Sequence, residues 1–169
     1  MMKILVPVDG SPNGKYAARH VIREFMKNRA MEVHLLNVQP PFPAHIARFF
    51  SKKNRETFHR DIGEKALRPM RDILDGSGVD YSVHIEVGNK AKRIAEAARR
   101  LNCDHIVMST ARKNSLTRMI EDSVTNSVLE LTTVPVEVIA GDAVSKLERY
   151  GIPAGIGVGL ALLALAAAD

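Results

Sequence analysis

Ile4-Leu5-Val6-Pro7-Val8-Asp9-Gly10-Ser11-Pro12 is the stretch on which the fold turns. The apolar run from Lys3 to Val8 reads as a strand, and the acid and turn residues behind it stop that strand within one turn. Working outward, Glu32 to Val38, Asp80 to Val87, His105 to Ser109 and Val134 to Ile139 are further short runs rich in Val, Ile or Leu. Helix-period segments separate them. Asn13 to Lys27 places Ala17, Val21 and Phe25 on one face, Ile62 to Leu74 and Ala91 to Leu101 carry similar stripes, and Asp122 to Leu131 supplies a fourth helix. Strict alternation of strand and helix requires right-handed crossovers, so the chain is expected to form a doubly wound α/β domain with a five-stranded parallel sheet. Ligand crevices in such sheets open beyond the carboxyl ends of the strands, where the winding reverses. Two stretches are placed to form one: Val6 to Pro12 after the first strand and Met108 to Ser115 after the fourth. With the strand order 3-2-1-4-5 these two ends are adjacent.

Composition is that of an ordinary globular chain of 169 residues, long enough to bury a core as one domain. The single cysteine, Cys103, excludes an internal disulfide framework, and Met1 to Val6 begins as a strand without a cleavable signal pattern, so a reducing, cytoplasmic setting is expected. The formal net charge is +5. Much of it gathers between His45 and Arg71, where Arg48, Lys52, Lys53, Arg55, Arg60, Lys65, Arg68 and Arg71 face only Glu56, Asp61, Glu64 and Asp72. Phe49, Phe50 and Phe58 lie among these charges. Aromatic rings of this kind either stack on bases or anchor a loop and helix to the core, and with no nucleic-acid motif beside them the second reading is preferred. Gln39 to about Glu56, with Pro40-Pro41-Phe42-Pro43, reads as the one long loop.

Catalytic signatures are missing. The sequence holds no Gly-x-x-x-x-Gly-Lys-Ser/Thr loop, no Gly-x-Ser-x-Gly elbow and no His-Glu-x-x-His pair, so an enzyme is not expected. The six histidines lack metal-ligand spacing, and His34 and His84 fall in strand patterns where a hydrogen-bonded structural role is expected. No metal is proposed. Cys103 reads as a small structural residue ahead of the fourth strand rather than as a redox thiol.

Ile4 to Ser11, the second strand ending Leu35-Leu36-Asn37-Val38-Gln39-Pro40, the run Gly88 to Leu101 followed by Cys103 to Met108, and the closing Val134 to Ile139 together resemble the universal stress protein family. The resemblance spans residues 3 to 140 in order. It implies an adenine nucleotide alpha hydrolase-like fold with the 3-2-1-4-5 sheet, homodimers that pair through the last strand, and stress-linked roles in which some members bind ATP. Those members carry Gly-x-x-Gly after the fourth strand, then nine residues, then Gly followed by Ser or Thr. Glycines there let the backbone approach phosphate, and amides at the next helix start face the anion. Here the matching positions are Ser109, Arg112 and Asp122, with only Ser123 kept. A carboxylate such as Asp122 at about 4 Å from a phosphate charge costs about 4 kcal/mol at an effective dielectric of about 20. Alternatively Asp122 or Ser123 caps the fourth helix with a side-chain oxygen. The resemblance assigns the nucleotide site to Pro7, Val8, Asp9, Val38, Met108, Ser109, Arg112, Ser123 and Val124. Asp9 either contacts base or ribose or orders the Gly10-Ser11-Pro12 turn. Arg112 and Lys113 either reach forward to a phosphate or stay exposed.

Past Gly141 the resemblance ends. Residues 1–141 are thus expected to form the domain and 142–169 a linker and apolar tail. Gly151 to Ala168 is uncharged over eighteen residues, just long enough to cross a bilayer, with Lys146, Arg149 and Tyr150 as flanking anchors. It reads either as a tether to the inner face of the membrane or as a segment packed in an interface. Two functions follow: a stress module acting by dimerisation and contact with a protein partner, its ATP site degenerate, or an adenine nucleotide-binding stress sensor using the loop after strand four.

Overall fold

The computed structural model describes residues 1–112 and 124–143. Among the described residues five strands and five helices follow in the order β1 (Met2–Pro7), α1 (Gly14–Lys27), β2 (Met31–Gln39), α2 (Ala44–Ala47), α3 (Lys52–Asp75), β3 (Tyr81–Val87), α4 (Lys90–Arg100), β4 (His105–Arg112), α5 (Val124–Leu131) and β5 (Val136–Ala143). All strands are parallel, as the alternation demanded, and their order β3-β2-β1-β4-β5 is the one the resemblance implies.

Side chains alternate across the sheet, and each face finds its own cover. Ile4 and Val6 of β1, Val8 just after it, and Val33 and Leu35 of β2 pack beneath Ala17, Val21 and Phe25 of α1 and Leu67, Met70 and Leu74 of α3. Leu5, Leu36, Val38, Ile106 and Met108 project to the opposite face, under Ala91, Ile94 and Ala98 of α4 and Val128 of α5. The alternation explains why β1 reads as a continuous apolar run: both of its faces are buried.

The structure departs from the expected boundaries in three places. α3 starts at Lys52, ten residues ahead of Ile62, because Ser51 caps it by accepting the Asn54 amide at 3.1 Å. An apolar stripe cannot mark these turns: the buried residues of α3 are Gly63, Leu67, Met70 and Leu74. Part of the expected long loop is therefore helical, including the short α2. β4 continues past Ser109 to Arg112, and β5 starts at Val136 and runs to Ala143, where Val134 to Ile139 was expected. Pro135 lies outside the strand, yet its carbonyl still accepts the Ile106 amide at 2.9 Å.

Cys103, His34 and His84 have defined surroundings. Cys103 is buried, and burial pushes its thiol up to about 11, consistent with a structural role. His34 and His84 meet across β2 and β3, with His84 Nε2 3.3 Å from His34 Nδ1. His34 Nε2 lies 3.2 Å from Glu32 Oε1 but is not aligned for a hydrogen bond, so the expected satisfaction of this buried ring is only half met. Burial lowers the pKa of both rings.

Candidate functional site

The sheet splits at its carboxyl end between β1 and β4. Their ladder holds only Ile4 to His105 and Leu5 to Ile106, whereas β1 stays in register with β2 as far as Pro7 and Leu36. On the other side β4 and β5 remain paired as far as Arg112 and Ala143. This end of the ladder lies at the reversal of winding, where a doubly wound sheet places its ligand crevice.

The β1 wall is held rigidly. Val8 donates its amide to the Leu36 carbonyl at 2.8 Å, and the Asp9 carboxylate accepts the Ser11 amide at 2.9 Å. Asp9 therefore orders the turn, one of its two expected roles. Gly10 adopts φ +79°, and a Cβ there would lie 3.2 Å from both Cα and Cβ of Ala66 on α3. Only glycine meets both requirements without strain.

Behind this turn stands a polar network that the sequence reading missed. Asn37 is buried and donates to the Val8 carbonyl at 2.7 Å; Gln39, also buried, donates to Asn37 Oδ1 at 3.0 Å and to the His59 carbonyl at 2.7 Å. His59 Nδ1 returns to Gln39 Oε1 at 3.1 Å. These bonds tie β1, β2 and α3 together at the crevice. The available signal was two amide side chains at the end of a buried strand, since such groups must find partners.

Val38 and Met108 are buried on the α4 and α5 face, while Val8 belongs to the opposite layer. Pro7, Val8, Asp9, Val38, Met108 and Ser109 thus gather around the end of the sheet, on its two faces. The β4 wall has an unexpected form. Ser109 pairs with Ile139, Thr110 with Ala140 and Arg112 with Ala143, with one register shift between Thr110 and Arg112. The backbone is strand through the positions matching both glycines of the Gly-x-x-Gly signature. Gly141 of β5 meets the loop before α1, where a Cβ would lie 2.8 Å from Asn13 Cγ. Val124 begins α5. Asp122, Lys113 and Ser123, with the capping role expected of Asp122 or Ser123, lie outside the described residues, as does the tail 151–168. Among the described residues no group of His, Cys, Asp and Glu is arranged to hold a metal ion.

Comparison with known proteins gives a consistent result. The sequence model described as "Universal stress protein family" matches residues 1–140. A universal stress protein of Methanocaldococcus jannaschii is 30% identical over 139 residues, covering 81% of each chain. Among solved structures, the hypothetical protein MJ0577 is 26% identical with a TM-score of 0.65, the match covering 82% of this chain and 94% of that one. The Archaeoglobus fulgidus universal stress protein in complex with dAMP is 18% identical with a TM-score of 0.59, covering 82% and 98%, a likeness of fold.

Proposed function

The chain belongs to the universal stress protein family, and from that premise we propose that it is a stress-response module acting by homodimerisation and partner contact, with a degenerate adenine-nucleotide crevice. One observation carries this reading: β4 continues as paired strand through Ser109 and Arg112. Amides committed to a ladder are not free to wrap an anion, and at both positions a side chain replaces glycine at the backbone. Titration calorimetry of ATP into the purified protein tests it. Binding that is weak or undetectable is expected, and micromolar or tighter affinity would sink the reading.

Dimerisation is proposed through β5. It is an edge strand with Val138 exposed, beside an open groove of about 610 Å³ lined by Tyr16, Arg19, Ile22, Arg23, Ile139 and Ala140. An unpaired apolar edge favours association. Light scattering should report a dimer, and a monomer at tens of micromolar would count against it. Catalysis is not part of this proposal. A cytoplasmic setting is proposed, with residues 151–168 either a tether to the inner face of the membrane or a segment packed in an interface. Among the described residues no helix is long and apolar enough to cross a bilayer.

The second reading, an adenine-nucleotide sensor, is favoured by the open divergence of β1 and β4 and by the dAMP complex of the Archaeoglobus fulgidus relative. Absorbance of the purified protein separates the two. With no Trp and three Tyr, a retained nucleotide would dominate the adenine absorption band.

A further inference from the structure

The first turns of α3 overhang the sheet. At 1.5 Å per residue the 24-residue helix is about 36 Å long, and its first buried residue is Gly63. Ahead of it the chain from Pro43 folds back through α2, held by the Arg55 guanidinium donating to the Ala47 carbonyl at 3.2 Å. The resulting corner concentrates apolar surface. Phe49 is 73% exposed, Phe50 48%, Phe58 49%, Ile62 43% and Ile46 37%. Phe42 packs between Phe50 and Phe58, at ring separations of 6.0 and 5.1 Å, so the rings form one cluster rather than isolated side chains. The expectation that Phe49, Phe50 and Phe58 anchor to the core fails: Phe50 and Phe58 pack on Phe42 at the surface, and Phe49 lies under Arg48.

The same corner concentrates charge. His45 to Arg60 contains Arg48, Lys52, Lys53, Arg55 and Arg60 against Glu56 alone, so four of the five net positive charges of the chain reside in these sixteen residues. Exposed aromatic and aliphatic side chains set among long basic ones form a surface that enters an interface, the rings going into the headgroup boundary and the cations meeting anionic lipid. We infer that the α2–α3 corner is a docking surface for an anionic lipid bilayer.

Two other occupants fit less well. A nucleic acid would need open ring faces for stacking, but Arg48 sits over Phe49 at 4.9 Å and Phe42 occupies the neighbouring rings. A second copy docked about a two-fold axis would set one net charge of four against another. The inference is independent of the nucleotide site and of the tail.

The full-length protein tests it by co-sedimentation with vesicles of phosphatidylcholine alone and of phosphatidylcholine and phosphatidylglycerol in equal amounts. Binding is expected to rise on adding phosphatidylglycerol, and to fall roughly tenfold or more in Lys52→Glu/Lys53→Glu, which reverses two charges at the headgroups. Phe49→Ala/Phe50→Ala should also reduce it while leaving the unfolding transition in place, because both rings are exposed. Retention that is equal on both vesicle types and unchanged in the variants would assign binding to the tail and overturn the inference. So would the absence of binding, or variants that lose affinity for a single-stranded oligonucleotide but not for vesicles.

Discussion

Replacing Gly63 by alanine tests how closely α3 lies on β3. A Cβ at this position would stand 2.8 Å from both Cδ1 and Cγ2 of Ile85 and 2.9 Å from Cγ1. Carbon atoms prefer about 3.5 to 4.0 Å, so the helix or the isoleucine must give way. Overpacking of this kind costs about 1–3 kcal/mol, while alanine returns about 1 kcal/mol of helix propensity, so Gly63→Ala should destabilise by about 1 kcal/mol. Ile85→Ala alone removes all three clashing atoms and should cost about 2 kcal/mol, the low end for this truncation, because Ile85 is only partly buried. In that background the strain is gone and only the propensity gain remains. The double variant should therefore exceed Ile85→Ala by about 1 kcal/mol, a coupling of about 2 kcal/mol between the sites. Urea unfolding followed by far-ultraviolet dichroism measures all four corners of the cycle, and 1 kcal/mol moves the midpoint by about 0.5 M at an m-value of about 2 kcal/mol/M. If Gly63→Ala is as stable as the parent, or if the two effects simply add, the close approach is refuted. The consequence reaches the crevice. α3 also carries Ala66 beneath Gly10 and His59 against Gln39, so a displaced helix would loosen both supports of the β1 turn.

Gly10→Ala should destabilise by about 1–2 kcal/mol, since φ +79° is a left-handed conformation and the contact at 3.2 Å is to Ala66 backbone that cannot rotate away; an unchanged urea midpoint would refute the geometry. His34 and His84 have pKa values lowered from 6.5, chiefly by burial; Glu32 partly offsets this for His34, and His34 and Arg100 add to it for His84 against Glu86. The unfolded chain then takes up protons through pH 6.5 that the folded state still refuses, so stability should fall from neutral pH into the acid range, and His84→Gln should flatten the profile. A parent with no such fall would contradict it. Cys103, with its thiol at about 11, should resist a thiol reagent at mildly alkaline pH in the native protein and react at once in urea; rapid labelling of the folded chain would show the site to be open.

The sheet was legible because parallel strands buried on both faces need long apolar runs, and Ile4 to Val8 can do little else. Its strand order followed from the family likeness and the crossover rule together. Boundaries were lost where burial does not set them. The overhanging turns of α3 are charged and exposed, and only Ser51 announces their start. β4 and β5 run on beyond Ser109 and Ile139 through residues such as Thr110, Ala140 and Gly141, which carry little strand signal; here pairing across the ladder decides, not local propensity. The likeness pointed to Asp9 and Val38, which the fold places at the end of the sheet. The Asn37, Gln39 and His59 network was not legible, because its links to Val8 and His59 span twenty or more positions through side chains whose partners only the fold supplies.

β1 is the first of the five strands to be synthesised, yet it is completed only after β2 has been paired on both edges. One of its edges meets β2 after a short interval, Ile4 beside Val33. Its other edge must wait for His105 and Ile106, and Lys3 and Asp104 exchange hydrogen bonds across 101 positions of chain. As the polypeptide leaves the ribosome, β1, β2 and β3 can close one apolar layer beneath α1 and α3 while the middle of the future sheet is still a raw edge. Leu5, Leu36 and Val38 on the reverse face stay wet until α4 arrives. The nascent half-domain thus offers a strand template and an uncovered apolar face at the same time, the two features that chaperones engage and that aggregation exploits.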